Sequence, residues 1–392
     1  MNDNFCVLPF SHLNVTSRGH ILPCCNFDWK QDLVIDNLHL TSLEEIFLSK
    51  KWHKLRKSLV TGEPSPGCHK CFKKEISGAR SMRQASNSIY GTSRDLVIKS
   101  LELKLGSKCN LSCRTCSHHS SNKLLKEDSI LNNGKVDKQW IADIQKQSSF
   151  IHEEKFWEQI YEISENIELI KFTGGEPLLI HEHYKYLQWL VDNNIFPKLA
   201  YITNGTIGPT QERMELWSKF PSVTIDASID AVGELSEYVR TNSTWEEVKN
   251  NVIAFNNEPN IDFAINATFS IYNIIGIEKL VEFVEEHNIR WGCNMVFEPN
   301  VLSIFNLPDN AKRYIKHILN NLINTDISQM SKTNIQNIIN HVDLDKPTDK
   351  KFIDACKRKE EVYEEANGKP HEKTYEQLEP EWFNIIKEGE TC

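Results

Sequence analysis

The placement of its cysteines constrains this chain more than any other feature of the sequence. Eleven cysteines occur among 392 residues, and eight of them fall within the first 116. They form two groups whose spacing is typical of metal ligands. The odd total, and a start without the basic and apolar segments of a secretory signal, argue against a framework of disulfide bonds. In a reducing compartment such groups indicate metal binding, so we expect a cytoplasmic metalloprotein.

Composition excludes several other classes of protein. With 40% hydrophobic and 9% aromatic residues, the chain is not disordered over most of its length. A formal charge of −9 argues against a broad basic surface that binds nucleic acid. No apolar run approaches the roughly 18–20 residues that cross a bilayer, so we expect no membrane span. The length is that of two or three domains.

From about residue 96 the chain alternates between strand-like and helical stretches. Helices are predicted at His181–Asn194, Pro209–Lys219, Thr244–Phe255 and Gly276–His287. The six predicted strands are Leu96–Leu105, Leu169–Thr173, Lys198–Thr203, Val223–Ile229, Ile261–Phe269 and Ile289–Phe297. Strict alternation predicts an α/β fold with a parallel sheet and helices outside it, either an incomplete barrel or an open sheet.

Three regions follow from this pattern. Residues 1–90 hold the first cysteine group, short strands and turns, and one helix that begins near Thr41-Ser42 and runs through Leu55. Residues 96–300 contain the strand–helix units, with a long insertion at 117–166. Residues 301–392 are helical and highly charged, as expected of a solvated pair of surface helices.

A second cysteine group follows the first strand directly. Cys109, Cys113 and Cys116 give the spacing Cys-x3-Cys-x2-Cys on one short loop. Three thiolates can hold three irons of a [4Fe–4S] cubane and leave the fourth iron open to a chelating small molecule. A structural zinc site is the alternative, with His118 or His119 as its fourth ligand.

Polar and glycine residues stand at the carboxyl ends of the later strands, where parallel α/β folds place their active sites. Two glycines permit a close backbone approach, an adjacent carboxylate can bind an ammonium group, and an arginine can clamp a carboxylate. In chain order these residues are Gly174, Gly175, Glu176, Asn204, Ser228, Asp230 and Arg240.

Together these motifs resemble the radical S-adenosylmethionine superfamily over about residues 96–300. The resemblance implies a partial (β/α)6 TIM-type barrel, a small N-terminal auxiliary domain and a C-terminal helical extension. It also implies that Cys109, Cys113 and Cys116 hold a [4Fe–4S] cluster whose open iron binds S-adenosylmethionine. One electron from such a cluster cleaves the cofactor into methionine and a 5′-deoxyadenosyl radical, which abstracts hydrogen from a substrate. An electron donor such as flavodoxin or ferredoxin is the implied partner.

The same resemblance assigns the cofactor contacts. Gly174, Gly175 and Glu176 would receive the methionine amino group, and Arg240 would lie near the carboxylate. The remaining contacts, to ribose, carboxylate or adenine, would come from Asn204, Ser228, Asp230, Asn266 and Val296. The family usually has an aromatic residue before the third cysteine, whereas this chain has Thr115, so strands five and six must hold more of the adenine.

The first cysteine group is similar to the auxiliary-cluster extension called SPASM, in its shortened twitch form. The similar features are Gly19-x4-Cys24 and the Cys-x2-Cys of Cys68 and Cys71. The implied ligands of a second [4Fe–4S] cluster are Cys6, Cys24, Cys68 and Cys71, with Cys25 as the spare thiol and zinc as the competing metal. Here the extension precedes the barrel, whereas in the family it usually follows.

Three functional hypotheses remain open. The first is an oxidoreductase that abstracts hydrogen from a peptide or small molecule and passes a second electron to the auxiliary cluster. The second is a redox-neutral modification, such as bond formation, rearrangement or epimerisation, with that cluster as a scaffold. The third is a non-catalytic iron–sulfur protein. Cys293, Cys356 and Cys392 stand alone and are expected to be buried fillers or a free tail thiol.

Overall fold

The computed structural model describes residues 4–28, 41–63, 65–76, 80–342 and 351–391, so Cys392 lies outside the described residues. The chain folds into two compact units, each built from three separate stretches. The first unit comprises Met1–Lys108, Ala142–Ile202 and Gln211–Val223. The second comprises Cys109–Ile141, Thr203–Thr210 and Thr224–Cys392.

Eight strands occur in the described part of the chain. They are β1 His12–Val15, β2 Ile21–Leu22, β3 Ser100–Lys104, β4 Leu169–Thr173, β5 Lys198–Thr203, β6 Val223–Ala227, β7 Ile261–Phe269 and β8 Trp291–Met295. The last six confirm the six predicted strands, with shorter ends for β3, β6 and β8. The N-terminal strands β1 and β2 were predicted only as unlocated short strands.

Eighteen α-helices are present in the same residues. The N-terminal half contains α1 Leu8–Ser11, α2 Leu43–Phe47, α3 Lys50–Thr61, α4 His69–Ile76, α5 Met82–Tyr90, α6 Leu125–Asn133, α7 Lys138–Ser148, α8 Glu154–Ile163 and α9 His181–Asp192. The C-terminal half contains α10 Gln211–Trp217, α11 Gly233–Val239, α12 Trp245–Asn256, α13 Ile277–Glu286, α14 Asp309–Ile323, α15 Gln329–Val342, α16 Phe352–Asn367, α17 Tyr375–Leu378 and α18 Pro380–Thr391. The four helices predicted between strands are confirmed as α9, α10, α12 and α13.

In the first unit the strands are ordered β2-β1-β3-β4-β5. Strands β1, β3, β4 and β5 are parallel, and β2 pairs antiparallel with β1. Because side chains alternate along a strand, residues in register share one face of the sheet. One face is apolar and at most 1% exposed, with Leu13, Val15, Leu101, Leu103, Ile170 and Phe172. The opposite face of β1, β3 and β4 carries mainly polar side chains.

The prediction of a single helix from Thr41-Ser42 to Leu55 was wrong. The structure has two helices there, because serine caps begin each of them. The Ser42 hydroxyl accepts a hydrogen bond from the Glu45 N–H at 3.2 Å and begins α2. The Ser49 hydroxyl accepts one from the Trp52 N–H at 3.4 Å and begins α3. Ser49 thus satisfies one free N–H at the start of the second helix, and the first helix ends before it.

In the second unit β6, β7 and β8 follow one another, and β7 pairs parallel with β8. The prediction of a solvated helix pair after residue 301 was wrong: five helices, α14 to α18, are described there. Each has an apolar side, and Leu319, Ile335, Val362 and Trp382 are at most 1% exposed. The insertion contributes to this core, because Ile130 of α6 packs with Val362 and Ala366 of α16.

The fold class is therefore α/β, consistent with the predicted partial (β/α)6 barrel flanked by a small N-terminal region and C-terminal helices. Along β5, β6 and β7 buried residues alternate with less buried ones, so one face of each strand packs in the core. No helix among the described residues is long and apolar enough to cross a membrane.

Candidate functional site

The three cysteines of the loop after β3 lie together in the second unit. Cys113 is buried, Cys109 and Cys116 are half-buried, and the thiols of Cys113 and Cys116 are hydrogen-bonded to each other. This interaction lowers the pKa of Cys116 and raises that of Cys113. The Cys109 sulfur accepts hydrogen bonds from the Leu111 N–H at 3.4 Å and from the Asn204 amide at 3.7 Å. Such N–H···S contacts are typical of cysteines that ligate iron–sulfur clusters.

Backbone hydrogen bonds fix the loop against the end of α11. The Ser112 N–H donates to the Thr241 carbonyl at 3.0 Å, and the Arg114 N–H donates to the Val239 carbonyl at 2.8 Å. Residues 239–241 contain Arg240, so the chain that carries the cysteines also holds the arginine in place. This pairing was not apparent from the sequence.

Arg240 and Asp230 form a buried ion pair beside the cysteine loop. Arg240 Nη1 donates to Asp230 Oδ2 at 2.7 Å, and Asp230 Oδ1 accepts from the Thr268 N–H at 2.8 Å. Both carboxylate oxygens are therefore engaged by the protein. The Arg240 Nε is buried and has no hydrogen-bond partner among the described residues. A donor of this kind fits an anionic ligand next to Cys113 and Cys116, whose charges it senses.

Sequence reasoning missed Asn273, which supports this pair. Its amide nitrogen donates to the Asp230 carbonyl at 2.7 Å and to the Thr268 carbonyl at 3.0 Å. Its amide oxygen accepts from the Ser270 N–H at 2.7 Å, and the side chain is fully buried. Asn273 thus ties the segment after β6 to the end of β7. The signal in the sequence was a lone Ser-x2-Asn, which is too common to single out.

The other predicted cofactor contacts of the second unit do not form one cluster as Arg240 and Asp230 do. Asn204 is 5% exposed and donates to the Asn110 amide oxygen at 2.8 Å, so it contacts the cysteine loop. The Ser228 side chain is half-buried and its N–H donates to the Thr203 carbonyl. Asn266 accepts from the exposed Asn294 at 2.7 Å. Val296 is 7% exposed and continues the pairing of β8 with β7.

The Gly174-Gly175-Glu176 turn lies in the first unit and packs on the segment before Cys109. Gly174 has a φ of +129°, and a Cβ at Gly175 would stand 2.1 Å from the Lys108 carbonyl oxygen. The Glu176 N–H donates to the same oxygen at 2.9 Å. The glycines are thus required by contact with neighbouring backbone. The Glu176 side chain is fully buried, and its Oε1 accepts from the Leu178 N–H at 3.1 Å.

Four cysteines of the N-terminal group converge in the first unit. Cys6 is in the electrostatic field of Cys71, and both Cys24 and Cys68 are in the field of Cys6. Cys6 belongs to an apolar cluster with Leu8, Leu22, Phe27, Leu55 and Leu59, and Cys24 and Cys68 pack against it. Burial raises the pKa of Cys6 and of Cys68 to about 12. Thiolates are unfavourable in such surroundings unless a metal binds them, so the donor set fits an iron–sulfur cluster.

Cys25 has two neighbours, Met82 and Glu102, that are not among those of Cys24. Its thiol lies 3.7 Å from the Met82 sulfur and is hydrogen-bonded to the Glu102 carboxylate. Cys24 is in the electrostatic field of Cys6 and Cys68 as well as of the adjacent Cys25. Within the described residues, no three His, Cys, Asp or Glu side chains form a ready site for a single metal ion. A [4Fe–4S] cluster does not need such a site, because each cysteine binds a different iron of the cluster.

Two family models match the chain. The model of the radical SAM superfamily matches residues 103–297, and the SPASM iron–sulfur cluster-binding domain matches residues 6–72. The first range contains the cysteine loop and every predicted cofactor contact. The second contains all four N-terminal cysteines of the predicted set. These matches cover both predicted cysteine groups in the predicted order.

Individual relatives are similar over part of the chain. The radical SAM cyclopropyl synthase TigE of Paramaledivibacter caminithermalis is 27% identical over 238 residues. That match covers 56% of this chain and 46% of TigE, so the chain spans about half the length of this curated relative. Among solved structures, anSMEcpe with bound AdoMet and Cp18Cys peptide is 18% identical with a TM-score of 0.38, covering 56% of this chain and 58% of that one. Streptococcus suis SuiB is 15% identical with a TM-score of 0.38, covering 72% and 55%.

Both matched families bind iron–sulfur cofactors. A radical SAM domain binds a [4Fe–4S] cluster and S-adenosylmethionine, and a SPASM domain binds auxiliary iron–sulfur. The thiol sets described above fit both kinds of cluster. The chain is therefore a member of the radical S-adenosylmethionine superfamily, with a SPASM-type iron–sulfur domain ahead of its radical domain.

Proposed function

We propose that this protein oxidises a peptide or a small molecule by radical chemistry, with the N-terminal cluster as the acceptor of the second electron. When bound, the cofactors supply a 5′-deoxyadenosyl radical that removes one hydrogen atom and an auxiliary centre that removes one electron. The observation that carries the proposal is the convergence of Cys6, Cys24, Cys68 and Cys71. Four thiolates saturate a cubane, which then has no open iron for substrate and serves electron transfer.

Within the radical domain the residues divide into ligands and contacts of the cofactor. Cys109, Cys113 and Cys116 hold three irons, and the amide of Asn204 supports the Cys109 sulfur. The Arg240 guanidinium, with its buried open Nε, binds the methionine carboxylate. Asp230 acts as a positioning residue, since the protein occupies both of its oxygens.

The remaining contacts complete the cofactor site. The family resemblance assigns the backbone carbonyls of the Gly174-Gly175 turn and the buried carboxylate of Glu176 to the methionine ammonium. Ser228 and Asn266 supply polar groups for the ribose, and the backbone at Val296 supports the adenine. A flavodoxin- or ferredoxin-type donor provides the reducing electron.

An oxidative outcome is favoured over a redox-neutral one by the N-terminal thiol set. TigE, which is similar to this chain, is named a cyclopropyl synthase. Closing a cyclopropane ring between two carbons of one saturated chain removes two hydrogen atoms, so bond formation of that kind is itself an oxidation. The electron acceptor that it requires is what a closed auxiliary cluster provides. A redox-neutral rearrangement or epimerisation has no use for such an acceptor.

Anaerobic reconstitution tests the proposal. The protein should bind about eight irons and eight sulfides, and with dithionite it should convert S-adenosylmethionine to 5′-deoxyadenosine. The variant in which Cys109, Cys113 and Cys116 are all replaced by Ala should retain about four irons and form no 5′-deoxyadenosine. Cys293→Ala, a half-buried thiol outside both groups, is the control and should keep all eight. About four irons in the unmodified protein, with zinc in the N-terminal domain, would refute the auxiliary cluster.

A further inference from the structure

One face of the first unit's sheet is polar, buried and incompletely paired. Strands β1, β3 and β4 present it in register, because Asn14 lies opposite Glu102, and Glu102 lies opposite Lys171. We define the polar face as six residues: His12, Asn14, Glu102, Lys104, Lys171 and Thr173. The mechanism described above uses none of them. Four are more than nine-tenths buried, whereas the two lysines are half-buried.

Three buried polar atoms of this face lack hydrogen-bond partners among the described residues. They are His12 Nε2, Asn14 Nδ2 and Thr173 Oγ1, one from the start of β1, one from its middle and one from the end of β4. Buried polar atoms are almost always paired, and each unpaired one costs roughly 1–3 kcal/mol. Three on one face therefore indicate that something other than these side chains completes their bonding.

The chemistry of the open atoms points to an acceptor. The Asn14 amide nitrogen donates only, and the Thr173 hydroxyl is free to donate. His12 Nδ1 lies 2.7 Å from the Ser100 hydroxyl, and burial lowers the pKa of His12 to about 4, so the ring is neutral. Among the described residues the ammonium groups of Lys104 and Lys171 form no ion pair within 4 Å. Glu102, which lies in register between Asn14 and Lys171, interacts with the Cys25 thiol. A ligand oxygen would satisfy these donors.

Charge decides which acceptor fits best. The polar face carries two ammonium groups and one carboxylate, and its histidine is neutral, so it bears a net charge of about +1. Buried charges are tolerated when they are neutralised and hydrogen-bonded. A carboxylate brings one negative charge and two acceptor oxygens, which match this balance, whereas a phosphate dianion would exceed it.

We propose that the polar face is a substrate subsite that binds a carboxylate through Asn14 and Lys171. The inference rests on the proposed function, because it assigns part of the substrate of that reaction. It places the substrate class among molecules with a free carboxylate, such as an acidic residue of a peptide or a carboxylic acid. Strand β1 explains why the N-terminal domain joins the sheet: it supplies Asn14 next to Glu102.

Calorimetric titration of the reconstituted holoenzyme tests this subsite. The probe is N-acetyl-glutamate α-amide, which presents one side-chain carboxylate, and N-acetyl-glutamine α-amide is its neutral isostere. A charge-assisted hydrogen bond contributes about 1.5–3 kcal/mol, so the acid should bind roughly tenfold to a hundredfold more tightly than the amide. Equal affinities for the two probes would overturn the proposal.

Three variants test which residues cause the preference for the acidic probe. Lys171→Met should remove the preference for the acid, whereas Lys155→Met, an exposed lysine on α8, should leave it unchanged. Asn14→Leu should weaken binding of the acid without lowering the melting temperature, because it replaces an unpaired buried amide by an apolar group of similar shape. Unchanged binding in Lys171→Met, or an equal loss in Lys155→Met, would overturn the subsite.

Measuring 5′-deoxyadenosine in the same preparations distinguishes a failure of the subsite from a failure of the proposed function. If the protein cleaves S-adenosylmethionine and shows no preference for the acid, the subsite is refuted and the proposed function stands. If it forms no 5′-deoxyadenosine with both clusters assembled, the proposed function fails whatever the probes bind.

Discussion

Arg240 Nη1 donates to Asp230 Oδ2 across 2.7 Å, and both residues are buried next to Cys113 and Cys116. The pair gives the guanidinium one fixed direction, since the Thr268 N–H holds the other carboxylate oxygen. Arg240 therefore lies beside Cys113 and Cys116 with its Nε unpaired among the described residues. Two residues that the sequence analysis assigned separately to the cofactor thus act as one unit.

Removing the carboxylate of this pair should destabilise the protein strongly. Asp230→Ala leaves the Arg240 charge buried without its partner, which costs about 3–5 kcal/mol in the free energy of unfolding. Asp262→Ala is the matched control, because Asp262 pairs with Arg290 on the surface and such pairs contribute about 0–1 kcal/mol. Urea unfolding of the two variants measures the difference. If both variants lost the same small free energy of unfolding, the buried pair would stabilise the protein no more than a surface pair does.

Glu176→Gln should weaken the binding of S-adenosylmethionine while both clusters still assemble. The carboxamide oxygen can still accept from the Leu178 N–H, so the local turn is kept and only the charge is lost. Affinity should fall roughly tenfold to a hundredfold, the effect of one charge-assisted hydrogen bond. Equilibrium dialysis of the reconstituted protein gives the dissociation constant, and the exposed Glu158→Gln serves as control. An unchanged constant would remove Glu176 from the site.

Gly175→Ala should destabilise the first unit. Its new methyl group would stand 2.1 Å from the Lys108 carbonyl oxygen, so the backbone on one side must move. Overpacking of this kind costs typically about 1–3 kcal/mol. The melting temperature should fall, whereas that of Gly292→Ala, whose Cβ meets no atom within 4 Å, should not. Equal melting temperatures would mean that the turn can relax without cost.

Loss of the auxiliary cluster should separate two steps that are normally linked. In a Cys68→Ala/Cys71→Ala variant, S-adenosylmethionine cleavage should persist, because Cys109, Cys113 and Cys116 are intact. Oxidised product should not form, since the substrate radical has no electron acceptor; chromatography of 5′-deoxyadenosine and mass spectrometry of the substrate measure the two steps.

A fold control comes first for this variant, because small metal-bound domains often unfold without their metal. Circular dichroism and a thermal melt should show retained structure. A folded variant that still makes product at the normal rate would favour a scaffold role for the cluster and a redox-neutral reaction.

Much of the architecture could be predicted from local patterns. Strands β3 to β8 read as apolar runs, and α9, α10, α12 and α13 as helical periodicity between them, because hydrophobic spacing follows the period of each element. The split between α2 and α3 was missed, since Ser49 acts through a cap that does not alter the apolar period. Strand β1 is only four residues long, and it pairs with β3 more than 80 residues later in the chain, so local patterns could not predict this pairing.

The sequence by itself determined the chemistry of the two cysteine groups and the order of the cofactor motifs, because ligand spacing and glycine turns are properties of short segments. Only the tertiary structure decided which groups meet. It paired Arg240 with Asp230, brought Cys24 into the electrostatic field of Cys6 and Cys68, and aligned Asn14, Glu102 and Lys171 across three strands. These relationships depend on long-range register and on burial, which arise when distant segments pack and leave no trace in the spacing of neighbouring residues.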